Sequence, residues 1–211
     1  MHLSGIAFVF LARFTGSILT SLYFIMIAVS FLVYSWFVKR EEKMLKNFIH
    51  RFETRLRNIA LGMERNGISR PFIGAFWFYF SCGLTFLIFP LTIASAACAV
   101  LTVGDALSTL VGKKYGKHKI IGKKTMEGSL AFFTGSFFIS LVFISPCLAL
   151  IGAGAGALIE LIPEISPLKK FSRKGTLDDN LLIPLLTGLV IYAIHVAYFP
   201  DMGIIPLFYC H

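Results

Sequence analysis

Long apolar runs alternate with short basic stretches along this chain. Residues 15–38, 72–90, 91–111, 129–146, 148–163 and 181–200 each read as a helix able to enter a bilayer, whose crossing takes about 20 apolar residues. The second and third runs abut at Pro90, and the fourth and fifth meet around Pro146, so each pair is expected to fold as a tight hairpin. Gly, Ala and Ser crowd the third and fifth runs, where small side chains let helices approach closely in lipid. Residues 3–12 are apolar but too short for a full span, which leaves an interfacial, re-entrant or half-spanning segment. The pattern predicts an all-α, multi-pass transmembrane helical bundle of about six spans, forming one integral-membrane domain over residues 1–211.

Composition agrees, with 56% hydrophobic residues, 22 Phe and a mean hydropathy of +0.78, more apolar surface than a soluble domain of this length carries. The net charge of +9 on its own suggests nucleic acid. Its distribution excludes that partner, because every Lys and Arg except Arg13 falls in residues 39–71, 112–124 or 169–174, between the apolar runs. With six spans all three stretches share one face, which the positive-inside rule makes cytoplasmic and which places both termini outside. Phe48, Ile49, Phe52, Leu56, Ile59 and Ala60 recur at helical spacing, so residues 39–66 are expected to form a basic amphipathic helix, lying on anionic headgroups or extending the first span into solvent. The four cysteines form no CxxC pair and imply neither a zinc site nor a disulfide framework. Met1-His2-Leu3-Ser4 lacks the basic n-region of a signal peptide.

The chemistry concentrates after the third run. Asp105 lies inside an apolar segment, where a carboxylate is costly and marks a functional site by default. It is followed by Ser108, Gly112, Lys113, Lys114, Gly116, Lys117, Lys119, Gly122, Lys123, Lys124, Thr125, Glu127, Gly128 and Ser129. Glycines let backbone approach a ligand, lysines neutralise phosphate oxygens, and a neighbouring carboxylate can hold the Mg2+ that accompanies a polyphosphate. A positive-inside loop would account for the lysines but not for the glycines or Asp105. The run from Gly116 to Thr125 imitates a P-loop with one residue too many between its glycines and Lys124 where Ser or Thr should stand, so that reading is rejected. Asp178, Asp179 and Asn180 at the mouth of the last run suit metal or ribose ligation, or simply cap a helix. Glu160 could orient a lysine, bind metal or reach the interface, Glu127 could stabilise a helix N-terminus, and His195 reads as structural.

Several of these stretches together resemble the polyprenol kinase family of lipid kinases: Gly104-Asp105-Ala106, Gly112 to Lys117, Lys124-Thr125-Met126-Glu127-Gly128-Ser129 and Asp179-Asn180-Leu181-Leu182-Ile183-Pro184. Arg65-Asn66-Gly67 through Ala75 and Ala157-Leu158-Ile159-Glu160 extend the likeness, which runs from about residue 64 to 190. His2-Leu3-Ser4-Gly5 resembles the family's early His motif, without the basic pair expected before it. The resemblance implies transfer of the γ-phosphoryl group of CTP to the hydroxyl of a polyprenol, dolichol-like or related membrane lipid, at a cytoplasmic site. On that footing Gly104, Ser108, Gly112, Lys113, Lys114, Gly116, Lys117, Lys123, Lys124, Thr125, Gly128, Ser129 and Asn180 would hold the nucleotide. Asp105, Asp179 and Glu160 would hold Mg2+, and Asp105, Lys124, Glu127 and Asp178 would serve catalysis, with Glu127 or Asp178 accepting the hydroxyl proton. Two other readings are a CTP-dependent cytidylyltransferase, which would leave pyrophosphate and a CDP-lipid, and a transporter with an embedded Asp.

Overall fold

The computed structural model describes residues 2–39, 73–165 and 178–198, and its helices are α1 (His2–Thr15), α2 (Ser17–Lys39), α3 (Ile73–Ile88), α4 (Leu91–Ala99), α5 (Asp105–Tyr115), α6 (Met126–Ser140), α7 (Pro146–Ile159) and α8 (Asp179–Tyr198). A π-helical turn, Val100–Gly104, joins α4 to α5, so that Leu91–Tyr115 is one continuous rod. The all-α bundle expected from the hydrophobic pattern is present, and it is that of an integral membrane protein. Residues 40–72, 166–177 and 199–211 lie outside the described residues, and with them the amphipathic helix expected at 39–66.

Six spans were expected; among the described residues four helices are long and apolar enough to cross a membrane, Ser17–Trp36, Leu91–Tyr115, Pro146–Glu164 and Asp179–Tyr198. The run at 72–90 forms a 16-residue helix and the run at 129–146 a 15-residue one, α6. At a rise of 1.5 Å per residue these reach about 24 and 22 Å, short of the roughly 30 Å hydrocarbon layer. Both hairpins occur where proline predicted them. Pro90 separates α3 from α4, and Pro146 starts α7 at a position where its missing N–H costs nothing.

α1 packs inside the bundle. Gly16, at φ +81°, reverses the chain into α2, a conformation that glycine adopts without penalty. Gly5 lies against Phe78 and Thr102, whereas Phe10 meets Phe143 with ring centroids 5.6 Å apart, and Thr15 shares a 2.8 Å hydroxyl bond with Thr20. α1 therefore runs antiparallel to α2 and begins at the end where Lys39 and Ile73 lie. The six-span reading places the N-terminus at the opposite end; the extra 14-residue helix, too short for a full span, is what turns it round.

α4 is the axis of the bundle. Ile93, Ala94, Ala96, Ala97, Cys98, Ala99, Val100 and Leu101 are all fully enclosed, because alanine on every face lets α1, α3, α6, α7 and α8 close around it. α2 and α3 pair by a similar economy of size. Ser21 donates to Gly83 O at 2.7 Å, Ser17 donates to Phe86 O, and Phe24 stacks on Phe86. Pro184 inside α8 removes the N–H that would bond to Asn180 O, and Ser81 of α3 replaces it with a 2.6 Å hydroxyl bond to that carbonyl.

One element departs from the all-α reading. Lys119–Ile121 and Lys124–Thr125 form a small antiparallel β-hairpin whose turn uses Gly122 at φ +57°.

The tightest glycine contact between α2 and α3 gives a stability test. A Cβ at Gly83 would lie 2.8 Å from Ile25 and 3.2 Å from both Phe24 and Ser21 O, whereas one at Gly154 meets only Phe133, at 4.0 Å. Gly83→Val is expected to destabilise the detergent-solubilised protein by about 1–3 kcal/mol, read as a lowered thermal unfolding midpoint. Gly154→Ala should match or slightly exceed the parent.

Candidate active site

The end of the bundle that carries the basic connections also gathers its acids. α5 supplies Asp105 and Ser108, the hairpin supplies Lys124, α7 ends on Glu160, and α8 opens with Asp179 and Asn180. Lys124 is the centre, with its side chain 16% exposed; its Nζ donates to Glu160 Oε1 at 2.7 Å and lies 3.5 Å from Asp179 Oδ2. Ser108 Oγ donates to the same Glu160 oxygen at 2.6 Å. Glu160 is fully enclosed at the C-terminal end of a helix, a doubly unfavourable place for a carboxylate, and the ammonium and hydroxyl offset that cost. Burial alone would lower the pKa of Lys124, but Asp179, Glu160 and Asp105 outweigh it and hold the ammonium above its ordinary 10.5.

The π-helical turn aims the deepest of these groups. A Cβ on Gly104 would fall 2.5 Å from Ser136 Oγ and 2.8 Å from Phe132, so only glycine allows α6 this close. Ser136 donates to Val100 O at 3.4 Å, and Thr102 bonds back to Cys98 O at 2.5 Å, satisfying backbone and hydroxyl groups where the regular ladder is interrupted. Asp105, directly after the turn, is buried on the site side of the rod. The remaining glycines are used for packing between α5 and the start of α6. Gly112 and Gly128 face one another, with Thr125 beside them, and Gly116 closes on Thr125 and the Gly112 carbonyl. Thr125 caps α6 by accepting from Gly128 N at 3.2 Å.

The other sequence-derived candidates divide into two groups. Lys113, Lys114, Lys117 and Lys123 are exposed, with Lys114 over the Tyr115 ring. Asp178 takes the capping role considered above, accepting from Asn180 N at 3.0 Å and Asn180 Nδ2 at 2.8 Å. Glu127 accepts from His118 N at 3.3 Å and pairs with His118 Nδ1 at 2.7 Å. Hydrogen bonding to its own backbone N–H and to His118 lowers the Glu127 pKa from 4.5 to about 2, which makes it a weak proton acceptor. Ser129 Oγ is enclosed without a hydrogen-bond partner among the described residues. His118 and Ser136 were not singled out from sequence, because both act across contacts that no local spacing encodes.

The donor chemistry suits a hard divalent cation. Asp105, Glu160, Asp179 and Asn180 offer oxygens, and among the described residues the buried Glu160 Oε2 and Asn180 Oδ1 have no hydrogen-bond partner. No cluster of three or more metal-ligating side chains among the described residues is arranged to hold an ion by itself.

Comparison with known proteins agrees with the family resemblance carried by the motifs. The chain is 32% identical to a phytol kinase of Synechocystis sp. over 123 residues, 54% of this chain and 47% of that protein. It is 33% identical to the dolichol kinase of Saccharomyces cerevisiae over 91 residues, 40% of this chain and 16% of the relative. It is 26% identical to the CTP-dependent diacylglycerol kinase 1 of Schizosaccharomyces pombe over 161 residues, 67% of this chain and 69% of the relative. The match thus spans less than half the length of the first two relatives. All three are lipid kinases, the family that the motifs resemble. No family model and no solved structure matches the chain.

The Glu127–His118 clasp yields a pH prediction. A carboxyl group whose folded pKa is depressed to about 2 stabilises the fold above its ordinary value of 4.5 and loses that contribution as pH falls from 4.5 through 2. Thermal midpoints of the parent and Glu127→Gln should therefore differ most near neutrality and converge over that acid interval. A gap that is constant across it would remove the clasp from the stability of the hairpin.

Proposed function

We propose that this chain is a CTP-dependent lipid-alcohol kinase acting at the basic, cytoplasmic end of the bundle, with a polyprenol, dolichol-like or related membrane lipid as acceptor. One observation supports it above the rest: a partly enclosed lysine, Lys124, held by Glu160 and Asp179 and influenced by Asp105, in a stretch of chain that also carries the exposed Lys113, Lys114, Lys117 and Lys123. Similarity to three lipid kinases supplies the reaction class.

In the proposed reaction the lipid hydroxyl oxygen attacks the γ-phosphorus of CTP. The bond from that phosphorus to the β,γ-bridging oxygen breaks, CDP leaves, and the hydroxyl proton passes to a carboxylate. Such transfer depends on alignment and charge neutralisation more than on strong base catalysis. Lys124 is positioned to meet a phosphate oxygen, exchanging part of its carboxylate contact for it. Lys113, Lys114, Lys117 and Lys123 would collect the triphosphate at the mouth, and Asn180 would contact the nucleotide. Asp105 and Asp179 would hold Mg2+, which when bound neutralises triphosphate charge. Of the two acids considered for the hydroxyl proton, Glu127 is a weak base, and Asp178 would accept the proton alongside its capping bonds to Asn180. Glu160 would keep Lys124 and Ser108 in register.

The test is purified protein with radiolabelled CTP or ATP, Mg2+ and a panel of lipid alcohols, with all products identified. A phospholipid plus CDP is expected; pyrophosphate plus a CDP-lipid would replace the kinase reading with cytidylyl transfer. Asp105→Asn, which keeps the side-chain shape, should lower turnover by at least about a hundredfold while membrane insertion and thermal midpoint hold. Parent-like turnover in that variant would take Asp105 out of the mechanism.

A further inference from the structure

The end of the bundle opposite the site has a chemistry of its own. Its connections, Gly16 between α1 and α2, Phe89-Pro90 between α3 and α4, and Leu141 to Ser145 between α6 and α7, contain no ionisable residue. Large apolar side chains stand exposed around them, including Phe14, Ile18, Leu87, Ile88, Phe138 and Leu150. Several amides there are bonded internally: Leu141, Val142, Phe143 and Ile144 donate to the carbonyls of Phe137, Ile139, Ser140 and Ser140, Phe89 donates to Thr85, and Pro90 has no N–H to offer. Hydroxyls also turn inward, Thr15 to Leu11 O and Ser17 to Phe86 O. Each such internal bond lowers the cost of holding this end in hydrocarbon, where unpaired backbone is expensive.

Depth leads to the same place. The partly exposed polar contact of Glu127 with His118, 2.7 Å apart, puts the first turn of α6 at the aqueous boundary. From Glu127 the helix ends at Ser140, only about 20 Å further on, against a hydrocarbon layer of about 30 Å. α7 returns from Ser145 to Glu160 over a similar distance. α8, starting at the same end with Asp179, is 20 residues long and outreaches both by several ångströms, on the order of 6 Å. Arg13, in the last turn of α1, is the one charged side chain near the opposite end among the described residues, and its long stem can carry a guanidinium across such a gap to the far headgroups.

We propose that the α6–α7 connection ends inside the bilayer, in the hydrocarbon of the leaflet opposite the site, and does not emerge into water. The protein is thereby inserted asymmetrically, with one wet end that carries the chemistry and one dry end that is covered by acyl chains. The inference rests on the membrane-embedded fold and stands whether or not the kinase reading does.

A native probe is in place, because Cys147 is exposed in the first turn of α7, and Cys82 and Cys98 are buried. The protein, with Cys210→Ser, is placed in dioleoyl-phosphatidylcholine nanodiscs, which open both faces to reagent, and treated with a charged, membrane-impermeant maleimide. Ile120→Cys in a Cys147→Ser, Cys210→Ser background reports the wet end, since Ile120 is 46% exposed on the hairpin. Cys147 is expected to react at least about tenfold more slowly than the Ile120→Cys thiol in discs, because maleimide needs a thiolate that hydrocarbon suppresses. Comparable rates in discs would overturn the proposal. A second measurement uses a fluorophore attached to Cys147 in detergent before reconstitution. Lipids carrying a nitroxide near the chain terminus should quench it more strongly than aqueous iodide, and the reverse order would place the tip in water and reject the idea.

Discussion

The contact on which the site end depends is the ion pair between Lys124 and Glu160. It joins a β-hairpin to the end of α7, and through Ser108 and Asp179 it reaches α5 and α8 as well. A buried carboxylate at a helix C-terminus is costly alone, so each partner makes the other's position tolerable. Four stretches far apart in sequence thus meet at one ammonium group. Their meeting point is also where the proposed nucleotide and lipid substrates would be brought together, one from water and one from the bilayer.

Elsewhere the bundle is held by a different device, the hydroxyl that bonds a carbonyl of a neighbouring helix. Ser21 to Gly83, Ser81 to Asn180 and Ser136 to Val100 each link two helices. Two of these bonds fall where the helical ladder is interrupted, by Pro184 and by the π-helical turn. In lipid such irregularity survives only when a side chain compensates for it, and the compensated positions flank Asp105 and Asn180. Departures from regular helix therefore cluster around the chemistry.

Much of this was legible from the chain. Apolar runs broken by Pro90 and Pro146 marked the hairpins, because a missing N–H is a local fact. Asp105 stood out because a carboxylate in an apolar run has few innocent explanations, and Lys124, Glu160 and Asp179 were assigned to one face from the charge pattern. What could not be read was anything set by contact. The short α6 looked like a full span because its apolar composition continues through Leu141 to Ile144, which form the turn. α1 looked like a fragment because its partners, Phe78 and Thr102, lie far along the chain. The glycines read as room for phosphate are occupied by helix packing, a distinction that depends on which backbone sits opposite. Asp178 and Glu127, two interchangeable acids in the sequence, became a cap and a clasp once their neighbours were known.

The alanine-lined α4 has one more implication. A helix enclosed on every side has no annular lipid and no slack about its own axis. Any rotation or sliding would drive methyl groups into five neighbours at once. Asp105, just past its end, is thus mounted on a stationary spindle, and whatever movement the bundle makes falls to the outer helices.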